Sequence, residues 1–78
     1  MFEKIMYNVY CQIMEDHLDS LDKAENNGDF KKADLYSKKA LRIGRRILSL
    51  EKKVGVDPEG SVKNIFDIIQ QGYTSLNN

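Results

Sequence analysis

The stretch Phe30-Lys31-Lys32-Ala33-Asp34-Leu35-Tyr36-Ser37-Lys38-Lys39-Ala40-Leu41-Arg42-Ile43-Gly44-Arg45-Arg46-Ile47-Leu48-Ser49-Leu50-Glu51-Lys52-Lys53-Val54 decides the fold. Ala33, Tyr36, Ala40, Ile43, Ile47, Leu50 and Val54 recur in alternating steps of three and four without a slip. That is the a/d seam of a heptad pattern, and it predicts one helix over 30–54 with a single apolar edge. Asp29 suits the N-cap, where its carboxylate can accept a free backbone N–H.

Working outward, Asn26-Asn27-Gly28-Asp29 reads as a turn, because Asn and Gly tolerate positive φ. Before it, Phe2, Met6, Val9, Ile13, His17, Leu21 and Ala24 repeat at helical spacing and predict a helix over 2–25. Two helices of about 24 residues span about 36 Å each at 1.5 Å per residue. A connection this short makes them antiparallel neighbours. After the seam, Gly55-Val56-Asp57-Pro58 breaks the chain, Gly suiting a helix end and Pro the first turn of the next. Val62, Ile65, Ile69 and Leu76, with Phe66 and Tyr73 beside them, predict a third amphipathic helix over 58–76, with Ser61 as an alternative start. The expected fold is all-α: a long antiparallel hairpin whose open apolar groove a C-terminal helix covers, giving a three-helix bundle.

With 78 residues the chain forms a single domain, 1–78. A core this small usually needs a staple. Cys11 is the one cysteine and His17 the one histidine. Neither a disulfide within the chain nor a four-ligand zinc site can be built from them, so no metal or other cofactor is expected. Tight helix packing or homo-oligomerisation remains as the staple. A lone Cys fits a reducing compartment. No run approaches the roughly 18 apolar residues of a membrane span. The opening residues lack a basic segment followed by an apolar core, so no signal peptide is expected. The expected location is the cytoplasm.

Twelve basic and twelve acidic side chains cancel, but they are not mixed. Nine of the Lys and Arg and only two acids lie between Phe30 and Val54. Lys31, Lys38, Arg45 and Lys52 share one heptad column, Lys32, Lys39, Arg46 and Lys53 the next, and Arg42 sits between. Such a face can solvate the helix or neutralise phosphates. Lys38, Lys39, Arg42, Arg45 and Arg46 are therefore the candidate nucleic-acid contacts of a small regulator. No aromatic residue interleaves them for base readout.

The first helix is apolar over more of its circumference than one core requires. Phe2, Ile5, Met6, Tyr7, Val9, Tyr10, Cys11, Ile13, Met14 and Leu18 cover well over half of it, whereas a helix on one core needs a stripe of about 100°. The surplus calls for a cover: the third helix, a second copy of the chain, or a partner's helix. Phe2, Met6, Tyr7, Tyr10, Met14 and His17 are the candidate partner-binding residues, Met and Tyr being enriched at interfaces. His17 otherwise serves as a hydrogen-bonded core residue, and Cys11 as a small apolar one. No nucleotide loop, metal spacing or catalytic set is present, so an enzyme is not expected. The expectation is a non-enzymatic interaction protein (a chaperone, adaptor or small inhibitor, bacterial or phage-borne), with nucleic-acid binding through the second helix as the alternative.

Gly28-Asp29-Phe30, then Ala33, Tyr36 and Ala40-Leu41, resemble the second half of a tetratricopeptide repeat over 14 residues. As a single copy, it implies a helix–turn–helix hairpin of similar turn chemistry. Gly28-Asp29, Ala40 with Ile43, Ser49-Leu50, Gly60 and Asn64-Ile65 together resemble, in order along the chain, the flagellar export chaperones that escort flagellin. That resemblance implies a helical protein with a chaperone or adaptor role.

Overall fold

The structure, a computed structural model, describes residues 2–76, with side chains described over 2–72. It is all-α: α1 spans Phe2–Asn26, α2 spans Phe30–Val54 and α3 spans Lys63–Leu76. The expected side chains of Tyr73 and Leu76 lie outside the described residues.

The turn between α1 and α2 is closed by backbone bonds of the Schellman type. Asp29 N–H donates to the Ala24 carbonyl at 2.9 Å, and Gly28 N–H to the Glu25 carbonyl at 3.1 Å. Gly28 takes φ +68°, a conformation that glycine adopts without steric cost. Asp29 then caps α2, its Oδ1 accepting the Lys32 N–H at 3.2 Å. The four residues thus serve two helix ends at once, and the molecule is a rod of 41 × 20 × 17 Å. At 1.5 Å per residue, α2 alone runs almost its full length.

α2 is the central helix. Ala33, Ala40 and Ile47, all buried, form the row that meets α1. Ser37, Leu41 and Gly44, also buried, turn toward α3. The row of α1 that meets α2 is Tyr7, Cys11, Met14, Leu18 and Leu21, which also steps four, three, four, three. This differs from the expected row of Phe2, Met6, Val9, Ile13 and His17, although Leu21 and Ala24 are buried as that row requires. Both rows have helical spacing, in steps of three and four. The observed one brings Met14 to the gap over Gly44 and Tyr7 to Glu51, so contacts with the rest of the chain set the rotation of α1.

α3 lies along α2 rather than bridging the hairpin. No Cα of α1 comes within 8 Å of a Cα of α3 among the described residues. The close approach is at Gly44, where a Cβ would stand 2.8 Å from Phe66 Cδ2 and 3.4 Å from Met14 Cε. The missing side chain lets the Phe66 ring seat against the backbone of α2 and meet the tip of Met14.

The third helix begins later than Pro58. Residues Pro58–Gly60 make one 3-10 turn, and α3 starts at Lys63. Gly60 resists helix, and the chain at Ser61 and Val62 is held by Glu51 instead. Val62 N–H donates to Glu51 Oε2 at 2.9 Å, and Ser61 Oγ donates to Glu51 Oε1. Ser61 Oγ also accepts the Lys63 N–H at 3.1 Å.

Candidate functional site

Rotation of α1 sorts the six residues expected to face a partner. Met14 is 2% exposed and belongs to the main core with Ala40, Leu41, Ile47, Phe66 and Ile69. Tyr7 and Tyr10 pack, half-buried, against that core. His17 is half-buried, its ring centroid 6.4 Å from that of Tyr36. Met6 is half-buried. Phe2 alone of the six is freely exposed, at 69%, and Ile5 at 58% and Val9 at 51% join it. Three large apolar side chains on consecutive turns thus lack cover. They lie roughly 160° round α1, at 100° per residue, from Leu18, Leu21 and Glu25, which line the groove between the hairpin and α3. The chain's own third helix is on the other side.

The five candidate nucleic-acid contacts are all exposed on α2 and, at 100° per residue, fall within an arc of about 120°. Lys38 Nζ pairs with Asp34 at 3.0 Å, one turn back along α2. Arg45 lies over the Phe66 ring at 5.9 Å, on the α3 side. Lys39, Arg42 and Arg46 border the α1 side of this face. There, with His17 and Ile43, they line a notch of about 290 Å³ between α1 and α2. Lys39 Nζ is 5.4 Å from the centre of the Tyr36 ring. Among the described residues, no carboxylate is within ion-pair distance of Lys39, Arg42 or Arg46.

Two features escaped the sequence. One is an apolar groove of about 620 Å³ where α3 only partly covers the hairpin, lined by Leu18, Leu21, Phe30, Ala33, Ile65, Ile68 and Ile69 among others. The pairing of Ile68 with Ile65 and Ile69, which widens the apolar face of α3 beyond one stripe, was the available signal. The other is the cluster round Glu51, to which Tyr7 OH donates at 3.3 Å. Glu51 sits in a row of charged residues and reads as one more surface group.

Cys11 lies next to Tyr7 in this cluster. Burial pushes the Cys11 thiol up and the Glu51 carboxylate adds to it, while the Tyr7 hydroxyl opposes both. A thiol held in that form is a poor nucleophile. Tyr7 is pushed up to about 12, first by burial and then by the neighbouring Cys11 and Glu51. Its phenol therefore stays neutral in the folded chain at a pH where it would ionise unfolded. The stability this contributes is complete below pH 10 and is lost as pH rises from about 10 to 12. Phenolate absorbance should show one of the four tyrosines ionising last, and Tyr7→Phe should remove that late step. A late step that survives Tyr7→Phe would place it on another tyrosine.

Among the described residues, no group of three His, Cys, Asp or Glu side chains could hold a metal ion. No described helix is long and apolar enough to cross a membrane. The chain matches no family model, no curated protein and no solved structure in the three comparisons made.

Proposed function

We propose that this chain is a non-enzymatic protein-interaction module of the cytoplasm, a chaperone, adaptor or small inhibitor that binds through the free flank of α1. The observation that supports this is the exposure of Phe2, Ile5 and Val9 on the side of α1 turned away from α3. An amphipathic helix, from a second copy or from a partner, is the natural cover for a helical stripe of this kind. Half-buried Met6 and Ile13 border the stripe and extend it toward the middle of the hairpin. Phe2, Ile5 and Val9 contribute little to the chain's own core, so their exposure costs solubility without adding stability.

Self-association is the direct test. Light scattering after size-exclusion chromatography should show a mass that rises above 9.0 kDa with concentration. The double variant Ile5→Glu/Val9→Glu should stay monomeric while melting at nearly the same temperature, since surface changes usually stay within about 0.5 kcal/mol. A wild-type chain that is monomeric throughout would shift the proposal to a heterologous partner. A double variant that associates as wild type does would refute this surface.

A further inference from the structure

We infer that the notch between α1 and α2 is a binding site for a single phosphate group, carried by a small phosphomonoester or free in solution. Lys39, Arg42 and Arg46 converge on it from three successive turns of α2, and His17 closes it from α1. No described carboxylate neutralises these three cations. Guanidinium groups present fixed, planar forks of donors that match phosphate oxygens in pairs, and a lysine adds a point charge. Ile43 gives the notch an apolar wall. At about 290 Å³, the space equals roughly ten times the volume of one water, enough for one phosphate group and its nearest waters.

A point anion fits better than a nucleic-acid backbone. A backbone track needs cations in sequence along one face. Along this face Lys38 pairs with Asp34 and Arg45 lies over the Phe66 ring, whereas Lys39, Arg42 and Arg46 gather at the notch. What remains is three cations round one concavity, matched to the double charge of a phosphomonoester. This site is separate from the exposed apolar flank of α1, and one can fail without the other.

Titration of the labelled full chain, followed by amide, arginine side-chain and histidine ring resonances, tests this. Inorganic phosphate, a nucleoside monophosphate and a single-stranded oligonucleotide serve as probes, with sodium chloride holding ionic strength constant. The expected result is saturable shifts confined to His17, Lys39, Arg42, Ile43 and Arg46. Equal affinity for the first two probes would identify the phosphate alone as the ligand; tighter binding of the nucleotide would identify an esterified one. Arg42→Ala and Arg46→Ala should each weaken binding about tenfold, the order expected for one charge-assisted hydrogen bond. Lys52→Ala/Lys53→Ala, at the far end of α2, should leave it unchanged. Shifts spread along all of α2, or a preference for the oligonucleotide, would overturn the inference in favour of a general nucleic-acid face. Shifts that do not saturate would overturn it altogether.

Discussion

Phe66→Ala is expected to destabilise the fold by about 3–5 kcal/mol, the usual range for removing a buried phenyl ring from a core. A 78-residue domain has only about 4–12 kcal/mol in total, so α3 should lose its seat on α2. Phe66 is 8% exposed, and it is the residue of α3 that reaches both α2 and the tip of Met14. The thermal midpoint should fall by at least about 12 °C, at about 4–8 °C per kcal/mol for a chain of this size. Hydrogen exchange should locate the loss, with amides of α3 unprotected before those of α1 and α2. Gly44→Ala probes the same contact from the other side. Ala would favour the helix by about 1 kcal/mol. Against that, the new Cβ would lie 2.8 Å from a ring carbon that cannot swing aside as a flexible chain end does. Overpacking of this kind costs about 1–3 kcal/mol, so the net effect should be destabilising. A Gly44→Ala variant that melts higher than wild type would mean that the ring is not held against α2.

The hairpin was legible because each of its signals is local. Gly28 at positive φ, Asp29 as cap and the slip-free seam from Ala33 to Val54 each act within one or two turns, and periodicity records such effects directly. The rotation of α1 was not legible, since two apolar rows run along it, each in steps of three and four. Only the partners of Tyr7 and Met14, far off in sequence, choose between them. The same ambiguity affected the candidate site. Excess apolar width on α1 was visible, yet it could not say that Met14 would be spent internally and that Ile5 and Val9 would be left outside. The basic stripe is a different case. Its columns are present as read, with Lys38, Lys39, Arg42, Arg45 and Arg46 all exposed, but a helical wheel does not show that Arg45 borders α3 at the Phe66 ring while Lys39, Arg42 and Arg46 border α1 at His17.

Glu51→Ala carries the second large expected effect, a loss of about 3 kcal/mol. Its carboxylate accepts from Tyr7 OH on α1 and from Ser61 Oγ and Val62 N–H at the entry to α3, while Glu51 itself belongs to α2. One side chain therefore ties together all three helices. Hydrogen bonds to a charged group contribute about 1.5–3 kcal/mol each when buried. These three are only part-buried, and the groups released can turn to water, which is why the expected total is well below their sum. The negative charge also faces the start of α3, where free N–H groups favour an anion. Tyr7→Phe removes only the longest of the three bonds and should cost about 0.5–1.5 kcal/mol. Glu51→Gln should fall between the two. It keeps one carbonyl oxygen for the Val62 N–H but offers an amide where the Ser61 hydroxyl now donates, and it lacks the charge. Thermal unfolding of the four chains gives the order wild type, Tyr7→Phe, Glu51→Gln, Glu51→Ala from most to least stable. The double variant Tyr7→Phe/Glu51→Ala should lose no more than Glu51→Ala alone, because the hydroxyl then has no carboxylate left to lose. Additive losses would mean that the Tyr7 hydroxyl is stabilised by Cys11 rather than by Glu51. The α1-to-α3 link would then reduce to the contact of Met14 with Phe66 over Gly44.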